Sequence, residues 1–103
     1  MDQRRSPRFP VQCTVAYSGT KIAGIGIMSN LSTDGCRVGS YASVEAGTYL
    51  EMRVFMLAPD FPMKVDLAAV RWTGPREFGL EFLRMQPEEH ERLHRFVATL
   101  EAG

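Results

Sequence analysis

Between Val11 and Phe82, apolar and polar residues alternate with period two in short runs, and clusters of turn-forming residues separate the runs. Successive strand side chains point to opposite faces, so this alternation marks half-buried strands. In VQCTVAY, Val11, Cys13, Val15 and Tyr17 share one side, with Gln12 and Thr14 on the other. Ser18-Gly19 is a turn signal. KIAGIGIM is a second apolar run, whose Gly24 and Gly26 suit a bulge or a tight bend. The turn-rich SNLSTDG follows, then a short strand around Cys36-Arg37-Val38. In LEMRVFM, Leu50, Met52, Val54 and Met56 alternate with Glu51 and Arg53. APDFP reads as a turn, VDLAAVRW as a strand, TGPRE as a turn, and FGLEF as a last strand. Six short antiparallel strands imply an all-β fold, a small barrel or sandwich. Closure would remove the exposed edges that such strands otherwise present.

The C-terminal segment has a different period. Pro87 fits the first helical position, and Glu88 and Glu89 complement the positive end of the helix dipole. Leu93, Phe96, Val97 and Leu100 then form one apolar stripe. Glu88 with Arg92 and Glu91 with Arg95 are i,i+4 pairs in the favourable orientation. These signals predict a helix over residues 87–101.

At 103 residues the chain is expected to form one domain. Its apolar content of 45 % is too high for a wholly disordered chain. No apolar stretch is long enough to cross a bilayer, and the opening MDQRRSPRFP has no apolar run behind its charges. The expectation is a cytoplasmic protein without membrane insertion. Cys13 and Cys36 belong to no C-x-x-C pair and read as reduced, buried thiols.

Formal charge is zero, with 12 basic and 12 acidic residues, which argues against a DNA- or RNA-coating protein. The zero hides an asymmetry. The first ten residues carry Arg4, Arg5 and Arg8 against Asp2, so a basic arm over residues 1–10 precedes a mildly acidic body over residues 11–103.

Two motifs carry chemistry. In Arg4-Arg5-Ser6-Pro7-Arg8, Pro7 biases Ser6 away from helix. An extended arm would set Arg4 and Arg8 roughly 12 Å apart, at about 3.1 Å per residue. Guanidinium forks bind phosphate and the O6/N7 edge of guanine. The second motif is Asn30-Leu31-Ser32-Thr33-Asp34-Gly35, read as a connection between two strands. Gly35 there offers a positive φ, while Asn30 and Ser32 present an amide and a hydroxyl. Taken singly, each motif also fits a solvated tail or a plain hairpin connection.

Taken together, an RxxxR arm, two strands and NxSxxG make an ordered constellation that resembles the PilZ family of bacterial cyclic di-GMP receptors. Val70-Arg71-Trp72, Phe78-Gly79-Leu80-Glu81-Phe82 and the closing helix resemble the family's late elements, so the likeness runs from Arg4 to about Leu100. The resemblance implies a six-stranded antiparallel β-barrel with a C-terminal α-helix, and no enzyme. It implies that Arg4 and Arg8 take the guanine edge and phosphates of cyclic di-GMP. Asn30 and Ser32 would contact guanine and phosphate from the barrel side, with Gly35 shaping the turn and Arg5 as a weaker participant. Gln3 stands where relatives that bind a stacked ligand pair often carry another arginine, which favours one ligand per site. No further cofactor is implied. The expected partner is an unidentified downstream protein, in processes such as motility or biofilm formation, and a homodimer is left open. The alternative is an adaptor of the same fold that does not bind nucleotide.

His90-Glu91-Arg92-Leu93-His94 spells the H-E-x-x-H of zinc peptidases, yet only nine residues follow it and no other histidine exists to complete a site. The six methionines read as core filler rather than as a partner groove. Gly24-Ile25-Gly26 lacks the following Gly-Lys-Ser/Thr of a phosphate loop.

Overall fold

A computed structural model describes residues 7–55 and 62–103. Arg4, Arg5, Met56 and the turn residues Ala58 to Phe61 lie outside the described residues. Six strands precede one helix: β1 (Phe9–Ser18), β2 (Ala23–Leu31), β3 (Gly35–Gly39), β4 (Tyr49–Phe55), β5 (Met63–Gly74), β6 (Glu77–Arg84) and α1 (Pro87–Ala102). The strands close into a barrel in the order β1-β2-β3-β6-β5-β4, and every neighbouring pair is antiparallel. The six-stranded antiparallel barrel with a C-terminal helix is therefore the fold of this chain. β1 opens at Phe9, which pairs with Leu31, so the strand takes in two residues that the charge pattern assigned to the arm.

The alternating residues build the core. Cys13, Val15 and Tyr17 of β1, Leu50, Met52 and Val54 of β4, and Phe78 and Leu80 of β6 are buried. Met28, Met52 and Met63 are fully enclosed, so these methionines fill the interior. The Tyr17 and Phe78 rings meet edge to face, with centroids 5.4 Å apart, and the Tyr17 hydroxyl bonds Ser40 Oγ at 2.6 Å. This satisfies the one polar atom that the ring carries inward.

The register runs unbroken through Gly24 and Gly26 in the β1–β2 pair, so neither glycine marks a bulge. The shifts fall elsewhere: between Pro10 and Cys13, between Met28 and Asn30, between Leu50 and Met52, between Leu67 and Ala68, and between Val70 and Trp72. Such irregularities let a small sheet bend into closure and turn side chains away from strict alternation.

The helix lies against β5 and β1, burying Leu93 and Val97, with Phe96 and Leu100 half-buried beside them. Pro87 opens it as the sequence predicts. Glu89 then fixes it to the barrel: its Oε1 accepts the Lys64 backbone N–H at 2.9 Å and an Arg92 N–H at 3.3 Å. No described helix is long and apolar enough to cross a membrane.

Candidate functional site

The connection between β2 and β3 is shorter than the sequence suggests. Asn30 and Leu31 belong to β2 and Gly35 opens β3, leaving Ser32, Thr33 and Asp34 as the loop. Ser32 organises it from within. Its Oγ accepts the N–H groups of Asp34 at 3.0 Å and Gly35 at 3.2 Å, and lies 3.4 Å from the Gly35 carbonyl oxygen, to which it donates. The Ser32 N–H also donates to the Gly35 carbonyl, at 2.9 Å. Ser32 is accordingly 1 % exposed, and its hydroxyl serves the shape of the loop. The Phe82 N–H donates to the Asp34 carbonyl at 2.8 Å, which fastens the loop to β6.

Gly35 does not have the positive φ expected of it; among the described glycines only Gly47 does. Its requirement is space. A Cβ at Gly35 would collide with the carbonyl oxygen of Leu80 on β6, the residue before its register partner Glu81. Only a glycine lets the backbones of β3 and β6 approach this closely.

Arg8 crosses to this loop from just before β1. Its Nη1 donates to Oδ1 of Asn30 at 3.0 Å, and its positive charge reaches the buried thiol of Cys36. Burial pushes that thiol up to about 12, with Arg8 pulling weakly the other way, so Cys36 stays a neutral core group. Both cysteines are free and buried.

A cleft of about 460 Å³ is lined by Arg8, Ser32 and Asp34 from the approach to β1 and the β2–β3 loop, and by Arg71, Trp72, Gly79 and Glu81 from β5 and β6. That volume lies within the roughly 300–1,000 Å³ usual for small-molecule sites. The β5 part of this lining depends on the register shift between Val70 and Trp72. Val70 pairs with Leu80 and Trp72 with Gly79, so Arg71 is the extra residue of a bulge. Val70 is buried, while Arg71 and Trp72 both face outward. The indole lies over Gly79, where a Cβ would overlap its nitrogen, and remains 42 % exposed. Arg71 donates through Nε to Glu81 Oε1 at 2.7 Å.

Of the residues read from sequence, the structure brings Arg8, Asn30, Ser32 and Gly35 together; Arg4 and Arg5 lie outside the described residues. Sequence reading gave no site role to Arg71, Trp72 or Glu81. His90 and His94 of the H-E-x-x-H stretch lie side by side on the exposed face of α1, with ring centroids 4.8 Å apart and the rings tilted by 45°. Among the described residues no group of three His, Cys, Asp or Glu side chains is placed to hold a metal ion.

The PilZ domain profile matches residues 2–99, nearly the whole chain. This protein belongs to the PilZ domain family. Its fold is similar to the PilZ domain of CeSA from a cellulose-synthesizing bacterium, with a TM-score of 0.75 and 20 % identity over 93 % of this chain and 99 % of that one. It is also similar to the Bacillus subtilis inhibitor of motility MotI/DgrA, with a TM-score of 0.80 and 16 % identity over 99 % of this chain and 53 % of that one. The PilZ domain of Escherichia coli YcgR, solved with c-di-GMP, has a TM-score of 0.74 and 14 % identity over 98 % of this chain and 93 % of that one. A search of curated proteins found no match.

Proposed function

We propose that this PilZ domain is a cyclic di-GMP receptor, that it binds one ligand in the cleft that Arg8 and Trp72 line, and that binding changes the surface it offers to a downstream protein in the cytoplasm. The observation that carries this reading is the Arg8–Asn30 hydrogen bond, which holds a guanidinium beside a cleft that an exposed indole also lines. An arginine fork suits a phosphate or a guanine edge, and an indole face suits a purine ring. Arg4, with Arg5 in a lesser role, joins Arg8 in gripping the ligand. Asn30 contacts guanine, while Ser32 and Gly35 keep the loop in the form that meets a phosphate. Binding needs no reacting group, so the protein acts as a receptor and not as an enzyme. Family membership and a YcgR relative solved with c-di-GMP support the ligand assignment.

Calorimetric titration with cyclic di-GMP tests the proposal. Wild type binds with a stoichiometry of one, and Arg4→Ala and Arg8→Ala each abolish binding while the melting temperature of the free protein holds. Wild type that stays silent in the titration, with no thermal stabilisation by the ligand, would leave a protein-binding adaptor instead.

A further inference from the structure

We propose that Arg71 is a second phosphate anchor of this site, lining the same cleft as Arg8, and that Glu81 is the residue that positions it. The inference rests on the cyclic di-GMP reading above and extends it to a pair of residues on β5 and β6.

Three observations converge on Arg71. The bulge between Val70 and Trp72 makes it an extra residue with no register partner on β6, and turns it outward beside Trp72 where strict alternation would send one of the two inward. Bulges recur beside binding sites because they re-aim side chains in this way. Glu81 then takes the Nε–H at 2.7 Å, which restrains the long side chain along the cleft wall. Nη1 and Nη2 make no hydrogen bond among the described residues, so the end of the guanidinium remains available to a ligand.

The charges of the cleft add a reason. The carboxylate of Glu81 lines this space, and left bare it would repel a ligand with two phosphates. Glu81 bonded to Arg71 has its charge offset, and the pair presents donors rather than a bare anion. Without Arg71, Glu81 would oppose the ligand.

Titration of wild type, Arg71→Lys, Arg71→Gln, Glu81→Ala and the double variant Arg71→Gln/Glu81→Ala with cyclic di-GMP tests this. Arg71 is 54 % exposed and Glu81 48 %, so all variants are expected to melt with wild type. Arg71→Gln should weaken binding about tenfold or more, the scale of one charge-assisted contact. Arg71→Lys should keep most of the affinity, because a phosphate accepts a point charge whereas a guanine edge needs the fork. Glu81→Ala should weaken binding in the wild-type background but not in the Arg71→Gln background. Affinity within twofold of wild type for Arg71→Gln overturns the proposal, and so does Arg71→Lys as weak as Arg71→Gln, which would make Arg71 a base reader. An equal loss from Glu81→Ala in both backgrounds overturns the positioning role. Wild type that does not bind at all would fail the receptor reading itself, and this inference with it.

Discussion

Arg8 and Asn30 are joined by a 3.0 Å hydrogen bond across 22 residues of sequence, one standing just before β1 and the other near the end of β2. The bond sets the direction of a charge that would otherwise sweep a wide volume. Asn30→Ala removes the acceptor and leaves the guanidinium in place. Cyclic di-GMP affinity should fall about fivefold to tenfold. Stability should change by no more than about 0.5 kcal/mol, as for other surface substitutions. Paired titration and thermal melts check both halves.

Gly35→Ala should act on the fold first. Its new methyl meets the backbone carbonyl of Leu80, which cannot swing aside as a side chain would. Forcing β3 and β6 apart should cost about 1–3 kcal/mol. For a domain of this size each kcal/mol lowers the melting temperature by about 4–8 °C. Calorimetric melting measures this directly, and an unchanged melting temperature would contradict the close packing described here.

Gly79→Ala is the complementary case. Its methyl meets the indole of Trp72, an exposed group free to move. The variant should lose little stability but displace the ring from the cleft wall. Trp72 is the chain's single tryptophan, so its fluorescence reports the displacement without interference. The emission should shift on mutation, and the change that ligand produces in wild type should shrink.

The alternation of the strands was legible from sequence because one face of each is buried. Helix α1 was legible because its stripe and its Pro87 start agree. Arg8, Asn30, Ser32 and Gly35 could be assigned to one region from motif order. Their reasons could not. Gly35 serves close packing and not a positive φ, and that depends on Leu80, which lies 45 residues away in sequence but adjacent in the sheet. Arg71 and Trp72 escaped because a bulge adds a residue that strict alternation does not count. Once Val70 and Leu80 are known to pair inside the barrel, the outward turn of Trp72 follows from the shift to Gly79.

The Cys36 thiol predicts a pH dependence of stability. Its pKa rises on folding from 9.0 to about 12, so the folded state holds its proton where the unfolded chain releases it. Stability is unaffected by this group below about pH 9 and declines as pH rises through the window between the two values. The slope is about 1.4 kcal/mol per pH unit. Urea denaturation of wild type and Cys36→Ala between pH 8 and 10.5 isolates the effect. The difference between the two should be constant at the low end and narrow above pH 9. In the native protein both cysteines should resist thiol reagents, because each is enclosed and its acidity is weakened by burial.

Because every described strand of the barrel has a neighbour on both sides over at least part of its length, backbone paired on one side is confined to strand ends such as the start of β1 and the end of β5 among the described residues. Over the rest of the barrel a binding partner reads side chains rather than extending the sheet. Its choice of target can change through surface substitutions alone, without any redesign of the architecture beneath them.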